Sequence, residues 1–565
     1  MPRPVLPGAG RSGAALAITA ALVLAPHLAP PAHAQLLPDT GTTVDVGGLR
    51  QQLEGLLAPA AAGLPTPGWT IVPAFGIEER WTDHLQGVGN SSGRSSFITY
   101  ILPSVMISGQ TARTSTTINY SPSLQFYTEN GDQNRISHNL NAGSQITLVP
   151  ELLFLDLRAF GGLQPTYGGY GPNNTVATTR QSETQTFGVS AHPYMRERFG
   201  DVAVAELGAT LSSTLQNNLA GNYGGQTPAT TPGNSQNLLS QQEYLTVNSG
   251  PDFERISAGL SITGSQSTGG GVNNSTRYDG RVTLNYAVNR DITVLTMLGY
   301  DSIHYGGGTP YYNQAFNIYY GNTAAYNQSG IEWSGGLRWE PNPDSTITAT
   351  YGRQYGTQSA QLDASYALTA RTHVYARYSQ GITTSLEQRR NAINSSTLNG
   401  AGNPVGGNGT PQQILNNFYG TQNYLAQVTN ASVTAVLLED RDSFSLNLGY
   451  QENRQLGAAN TATTGPLNNT GYYGMLSWEH DFRKDLQSFL FGQTGSFKNG
   501  ATRSNQNSDT QILSLRLSYS ISDTLNTYAQ YSWSSQGYQP VNGTGGLVPT
   551  NQPSNLVIIG AHKTF

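Results

Sequence analysis

The chain has no cysteine among its 565 residues. Disulfide bonds, thiolate metal sites and a lipid anchor on an N-terminal cysteine are therefore excluded. Charge is also scarce, because Asp, Glu, Lys and Arg make up only 11% of the chain and the formal net charge is −5. That balance offers no basic surface for nucleic acid. Abundant Gly (65) and Tyr (31) with so little charge argue against an ordinary α/β enzyme and favour a β-rich chain.

Long apolar runs are missing as well. After the N-terminal region, no stretch reaches the run of about 20 apolar residues that a membrane-spanning helix needs. The strands of a transmembrane barrel need no such run, because only every second residue faces lipid. The composition therefore excludes a helical membrane protein and is compatible with a transmembrane β-barrel.

The N-terminal region has the three parts of a secretory signal peptide. Arg3 and Arg11 supply the positive charge, Ala14–Ala25 forms the apolar core, and A-H-A provides a small-residue cleavage site. A single anchoring helix is the alternative, but the apolar run is short and prolines interrupt the residues after it. We therefore expect cleavage near Ala34–Gln35, which removes residues 1–34 and exports the rest of the chain.

Apolar and polar residues alternate over many short stretches. From Leu513 to Trp533 two such runs are joined by S-D-T, and the same alternation occurs in ERISAGLSI, RYDGRVTLNYAVN and IEWSGGLRWE. A period of two predicts β-strands with one apolar face and one polar face. The repeated pattern predicts a large antiparallel sheet.

Two kinds of connection separate these strands. Ten short turns with Asp, Asn, Pro, Gly, Arg or Thr begin at Ser108, Val149, Arg196, Asn248, Val288, Pro341, Thr369, Glu439, Asp481 and Ser522. Long, neutral segments rich in Gly, Asn, Thr and Tyr begin at Gly161, Asn217, Gly306, Glu387 and Gly457. Short turns and long loops thus alternate along the chain. This segregation is typical of outer-membrane barrels, with short turns in the periplasm and long loops outside.

The turns also give a strand count. A first strand at Trp69–Trp81 and a last one at Ser554–Phe565 bring the total to about 22, within a range of about 18 to 24. We predict an all-β fold: a single large antiparallel transmembrane β-barrel over residues 69–565, preceded by a short periplasmic segment at 35–68. A TonB-dependent transporter would need a plug domain much longer than that segment, which argues against this class.

The apolar rows are expected to face lipid. If they faced inward, one core would have to be shared by all the strands, and it would be poor in Leu and Phe. Aromatic residues near strand ends, such as Trp69, Trp81 and Trp533, are typical of the girdles at membrane interfaces. Phe565 ends an alternating strand, which is typical of the assembly signal of bacterial outer-membrane barrels, although Lys563 departs from that pattern. The polar rows are then expected to enclose a wet lumen.

The segment Phe97–Phe160 carries a series of ordered motifs. They are L-P-S-V at Leu102–Val105, N-Y-S-P at Asn119–Pro122, a strand at Asn134–Leu140 and P-E-L-L-F-L-D at Pro150–Asp156. With W-T-D-H at Trp81–His84, this segment resembles the PEP-CTERM-system-associated outer-membrane β-barrel proteins, which often accompany exopolysaccharide gene sets. The resemblance covers about residues 69–160. It implies a location and a fold, and it assigns no catalytic or binding residue.

Catalytic and metal sites find little support in the sequence. Seven histidines lie singly on different predicted strands or loops, without a G-x-S-x-G motif: His84, His138, His192, His304, His373, His480 and His562. The acidic groups E-D-R-D at Glu439–Asp442 and E-H-D at Glu479–Asp481 fall at predicted turns, where solvated side chains are the simpler interpretation than metal ligands. We expect no enzymatic activity, no cofactor and no metal.

Charged residues on the polar faces are candidates for lining the lumen. They are Arg255, Arg277, Arg281, Arg338, Arg377, Arg516, Glu332 and Asp279. A row of guanidinium groups in a pore would favour anions, including acidic sugars. The alternative, which is favoured, is that these arginines pair with Asp279, Glu332, Glu340 and Asp363 and stiffen the wall.

Two functions from different classes remain. The first is a pore or export-associated channel, linked to exopolysaccharide, with the segment from Glu387 to Thr421 as the best candidate for a constriction. The second is a non-conducting structural or surface-interaction barrel that acts through its long loops. A third, an outer-membrane enzyme, would need a catalytic histidine. Expected partners are outer-membrane lipids and lipopolysaccharide, the barrel-assembly machinery, periplasmic chaperones and extracellular polysaccharide, but not nucleic acid.

Overall fold

The computed structural model describes most of the chain from residue 68 onward. The described residues are 68–86, 93–165, 175–218, 235–269, 272–306, 311–313, 318–320, 325–398, 404–405, 425–456, 468–499, 507–538 and 552–565. The predicted signal peptide 1–34, its cleavage site at Ala34–Gln35 and the predicted segment 35–68, except its last residue, lie outside them. Among the described residues, no helix has both the length and the apolarity to cross a membrane.

The described residues are almost entirely β-strand. The strands of the first half are β1 (Gly68–Thr82), β2 (Ser96–Gln110), β3 (Thr114–Tyr120), β4 (Ser123–Tyr127), β5 (Arg135–Ser137), β6 (Leu140–Val149), β7 (Leu153–Pro165), β8 (Glu183–Phe199), β9 (Ala203–Asn218), β10 (Ser235–Ser249), β11 (Ile256–Gly269), β12 (Val272–Ala287), β13 (Ile292–Tyr305), β14 (Tyr311–Asn313) and β15 (Ile318–Tyr320).

The second half continues in the same way around one α-helix. Its elements are β16 (Tyr326–Asn342), β17 (Ser345–Gln354), β18 (Thr357–Thr369), β19 (Thr372–Thr383), α1 (Ser385–Ser395), β20 (Thr397–Leu398), β21 (Pro404–Val405), β22 (Ala426–Leu438), β23 (Asp442–Gln455), β24 (Asn468–Arg483), β25 (Leu486–Asn499), β26 (Asn507–Ser522), β27 (Leu525–Tyr538) and β28 (Gln552–Thr564). Short 3₁₀ turns lie at Gly131–Gln133, Arg180–Ser182 and Pro251–Phe253.

The sheet closes on itself. Each barrel strand pairs antiparallel with its neighbours, and β1 pairs both with β2 and with β28. Segments β3 and β4 both pair with β2 and are parts of one barrel strand, as are β5 and β6. The result is a closed barrel of 22 strands, which confirms the predicted fold class and count. The hairpins β14–β15 and β20–β21 belong to loops.

The break between β3 and β4 has a local cause. Pro122 has no N–H to donate to the neighbouring strand, so the ladder is interrupted there. Opposite this break, the side chain of Gln185 takes over the pairing of His138, accepting from its N–H and donating to its carbonyl, both at 2.9 Å. The barrel strand therefore stays continuous across the interruption.

All ten predicted short turns join consecutive barrel strands at one end of the barrel. The connections at the other end include the predicted long loops, but the alternation of loop length is not strict. Only two residues separate β11 from β12, and Tyr355 and Gly356 form the whole connection from β17 to β18. Both of these turn residues have positive φ, which a two-residue hairpin turn requires.

The apolar rows face outward, as expected. On β26, Leu515 is 47% exposed whereas its neighbour Ser514 is 3% exposed. Leu, Ile, Val and Tyr rows are exposed in the same way along the other strands, and Trp69, Trp81 and Trp339 belong to them. A closed barrel satisfies every backbone group of its wall internally, so such a surface can lie in hydrocarbon.

The inner face departs from the expected wet, polar lining. On β24 and β25, Tyr473, Met475, Phe489 and Phe491 point inward and are buried, in one cluster with Val176 from the loop between β7 and β8. A loop residue can join this cluster only if its loop enters the barrel. Part of the lumen is therefore filled by protein.

Candidate functional site

The helix α1 begins at a strong start signal directly after β19. Thr384 Oγ1 accepts from the Glu387 N–H at 3.2 Å, and Glu387 Oε2 accepts from the Thr384 N–H at 3.0 Å. This reciprocal arrangement is a capping box, which satisfies two backbone donors at the start of a helix. It turns the chain away from the barrel wall as soon as β19 ends.

The helix crosses the interior of the barrel. It leaves β19 and contacts β7, β8 and β9, which lie far from β19 around the ring of strands. There, Ala392 and Ile393 pack in a buried cluster with Phe160. Gly188 on β8 makes room for them, because a Cβ at this position would lie 2.5 Å from Ile393 Cδ1. The segment from Glu387 to Thr421 was predicted to be a constriction. The part of it that belongs to α1 lies inside the barrel.

An ion pair fastens the start of α1 to the wall. Arg277, on the inner face of β12, donates from Nη2 to Glu387 Oε2 at 2.8 Å and from Nη1 to the Ile382 carbonyl at 3.0 Å. The Glu387 side chain is 3% exposed, so the pair is largely screened from water. The Glu387 carboxylate therefore caps the helix and also holds it against β12.

The middle of α1 is fastened by neutral groups. Arg389 Nη1 donates to Gln216 Oε1 at 3.4 Å. Arg390 donates to the hydroxyls of Ser240 and Ser267, which are themselves joined by a 2.9 Å hydrogen bond. Gln216, Ser240 and Ser267 belong to the inner faces of β9, β10 and β11, so the helix is anchored along three consecutive strands.

A second segment, Thr175–Ser182, also runs through the interior; we call it the lumen strap. Gln86 donates its N–H to the Ala177 carbonyl and accepts from the Thr179 N–H, both at 2.8 Å. Arg135 forms an ion pair at 2.8 Å with Glu183, the residue directly after the strap. Arg135 also donates to the backbone carbonyl of Thr178 in the strap. The strap and α1 together narrow the passage through the barrel.

Three of the predicted lumen-lining residues lie together. Arg281 on β12 pairs with Asp279 of the same strand, and its Nε lies 3.8 Å from Glu332 Oε1 on β16. Glu332 is 0% exposed and lies on the inner face, opposite the outward Ile331 and Trp333. Asp279 and Glu332 are thus buried in the wall beside the half-buried Arg281.

The other predicted residues lie apart from this group. Arg377 is buried 3.9 Å from Asp363, and the Arg516 guanidinium lies 3.5 Å from the ring centroid of Tyr528. Arg338 shares the face of Glu332 but is exposed.

Two predicted residues lie at the short-turn end. Arg255 is exposed in the turn before β11 rather than along the lumen, because the strand begins only at Ile256. Phe565 follows β28, is highly exposed, and donates its N–H to the Pro73 carbonyl at 2.9 Å.

Arg389 and Arg390 are not among the residues predicted from the sequence. The signal that could have revealed their helix is T-S-L-E at Thr384–Glu387, which has the spacing of a capping box. A network on the inner wall was not predicted either: Tyr244 contacts His192 at 2.9 Å and donates to Glu206 at 2.6 Å. Sequence spacing alone does not bring residues from three strands together.

Among the described residues, no group of three or more His, Asp or Glu side chains could hold a metal ion. The acidic groups at 439–442 and 479–481 lie at the short-turn end. There, His480 contacts Asp442 at 2.9 Å and Arg371 pairs with Glu439.

Comparisons with known proteins give similar solved structures but no family. No family model and no curated protein matches the chain. A mutant of the ferric enterobactin receptor PfeA from Pseudomonas aeruginosa is 13% identical, with a TM-score of 0.45 over 87% of this chain and 80% of that one. The FrpB iron transporter of Neisseria meningitidis, in its apoprotein form, is 11% identical, with a TM-score of 0.47 over 91% and 83%.

The copper transporter OprC is 9% identical, with a TM-score of 0.44 over 88% of this chain and 81% of that one. At such low scores these likenesses say nothing about a shared solute, and the barrel is established by the strand pairing of this chain itself. A closed antiparallel barrel with an apolar outer surface is the architecture of outer-membrane proteins.

Proposed function

We propose that this protein is a channel of the bacterial outer membrane whose passage is controlled by α1. One observation carries the proposal: a loop helix lies across a barrel of 22 strands, and among the described residues side-chain contacts hold it to the wall. Barrels of this size leave a wide lumen unless it is filled. Since the chain has no cysteine that could cross-link it to the wall, the helix can move on its connection to β19 and reopen that lumen.

The membrane location and the assembly partners of the protein belong to the same proposal. We place the barrel among outer-membrane lipids and lipopolysaccharide, inserted by the barrel-assembly machinery with Phe565 as its signal and with the aid of periplasmic chaperones. Its role is passage, not catalysis. The link to exopolysaccharide export is proposed on the resemblance of the segment Phe97–Phe160 described above.

Conductance in a planar bilayer tests the proposal. The wild-type chain should show low mean conductance with brief openings. A variant in which residues 385–398 are replaced by a short Gly-Ser linker should show a large, steady conductance, because the helix no longer narrows the lumen. Replacing loop residues 457–467 by the same Gly-Ser linker is the control and should leave the wild-type behaviour unchanged.

A non-conducting structural barrel is the second candidate, because two inserted segments occupy the lumen at once. That function predicts a folded helix-replacement variant that conducts no more than the wild type. The same result would overturn the channel proposal. Folding of each variant is checked by the shift in gel mobility that barrels show on heating in detergent.

A further inference from the structure

The charges around α1 do not balance. Arg277, Arg389 and Arg390 lie at the helix and its wall contacts, and Glu387 is the only carboxylate among the residues of α1. Glu387 is already engaged by Arg277 and by the helix start. Arg389 is left with a neutral partner among the described residues; Arg390 also has neutral hydrogen-bond partners, and the carboxylate that acts on it is the shared Glu387.

The rest of the chain offers these two arginines no carboxylate from a loop. No Asp or Glu occurs between Glu387 and Glu439 in the sequence. The long loops outside the described residues also contain neither Asp nor Glu; among the undescribed residues these types occur only at Asp39, Asp45 and Glu54, ahead of the barrel. In the wall, the acidic side chains of Asp279 and Glu332 lie beside Arg281.

Arg389 is the clearest case. Its side chain is nine-tenths buried, with 6% of the residue exposed, and its one hydrogen bond among the described residues is the long contact to Gln216. Burial lowers the pKa of its guanidinium to about 10, so the group is still charged at neutral pH. A buried charge without a counter-charge is costly, and a bound counter-ion removes that cost.

The surrounding donors are those that bind oxyanions. Arg390 presents its guanidinium beside the hydroxyls of Ser240 and Ser267. Planar guanidinium groups and hydroxyls match the geometry of carboxylate, phosphate and sulfate oxygens. The donors come from both sides of the boundary between α1 and the wall, so an oxyanion held there would touch the helix and the barrel at once.

We propose that Arg389 and Arg390, together with Ser240 and Ser267, form a binding site for the oxyanion group of a solute at the boundary between α1 and the inner wall. The inference deepens the proposed channel function and rests on it for its physiological meaning. It gives the channel a solute class: small acids, whether carboxylated sugars or inorganic phosphate and sulfate. Such a solute would act on the element that controls passage.

Calorimetric titration of the purified full chain in detergent tests the site without any measurement of conductance. Sodium sulfate, sodium phosphate and sodium glucuronate are titrated separately, with sodium chloride at equal ionic strength as the background. We expect saturable binding of at least one oxyanion. Binding of glucuronate identifies an acidic sugar as the solute, whereas binding of sulfate or phosphate alone identifies an inorganic anion.

Variants assign the binding to the site. Arg389→Gln and Arg390→Gln should each weaken binding by about tenfold or more, because each removes a charged hydrogen-bond donor. Arg389→Lys should retain part of the affinity. Arg338→Gln, which removes an exposed arginine from the same inner face, is the matched control and should bind like the wild type. All variants must first show the heat-dependent gel shift of a folded barrel.

Two results would overturn the inference: no heat beyond the chloride background with any of the three anions, or equal affinity in the wild type and in Arg389→Gln. Failure of the channel proposal looks different. In that case the anion binds and the helix-replacement variant still does not conduct.

Discussion

At the scale of single residues, the seam where the barrel closes is held by side chains from neighbouring strands. Glu78 on β1, Gly560 on β28 and Tyr528 on β27 are direct partners across three neighbouring strands. The Tyr528 ring lies over Gly560, and its hydroxyl donates to Glu78, which also pairs with Arg80. The first and last strands are thus joined by side chains as well as by the backbone ladder.

Gly560→Ala should destabilise this seam. A Cβ at this position would lie 2.5 Å from the Tyr528 ring, so the ring must move and its hydrogen bond to Glu78 is lost. Overpacking of this kind costs about 1–3 kcal/mol. The temperature at which the barrel loses its folded gel mobility should fall. Gly381→Ala is the control, because Gly381 has open space around it; equal effects of the two substitutions would contradict this account of the seam.

At the scale of elements, α1 depends on one carboxylate. Glu387 closes the capping box and pairs with Arg277, so the start of the helix and its attachment to the wall are the same interaction. Neither the capping box nor the packing of Ile393 against Gly188 involves a covalent bond. Loss of the carboxylate should therefore release the helix without unfolding the barrel.

Glu387→Gln should expose α1 to protease. Breaking a buried ion pair costs about 3–5 kcal/mol, and trypsin cleavage of a protected site follows the population of its open form. Limited trypsin digestion with mass spectrometry should find cleavage after Arg389 and Arg390 at least about tenfold faster than in the wild type. Glu439→Gln removes an exposed carboxylate from an ion pair at a turn and serves as the control. Unchanged protection in Glu387→Gln would show that the ion pair does not hold the helix.

At the scale of the whole molecule, the sequence was sufficient for the wall but not for the contents of the lumen. Alternation over stretches such as Leu513–Trp533 predicted the strands and their outward apolar rows, because the pleat fixes which residues share a face. The turn residues gave the count of strands. The barrel itself therefore follows from local patterns.

The filling of the lumen does not follow from local patterns. The lumen strap and α1 come from loops without periodicity, and their places depend on contacts with strands far away in the chain. The aromatic residues Phe489 and Phe491 face inward and pack in one cluster with Val176 of the lumen strap, a contact that the period of the strands does not predict. Arg389, whose guanidinium has a neutral partner among the described residues, was not predicted, whereas most of the arginines predicted from strand patterns have acidic or aromatic neighbours.

The central claim is that α1 controls passage by occupying the lumen. Because the chain has no cysteine, the double variant Gly188→Cys with Ile393→Cys would place one disulfide between the wall and the helix at a site of close contact. Its conductance is recorded in one planar bilayer before and after addition of a reductant. No openings are expected while the disulfide is intact, and wild-type openings are expected after reduction. Equal conductance in the two states, with cross-linking shown to be complete, would contradict the claim.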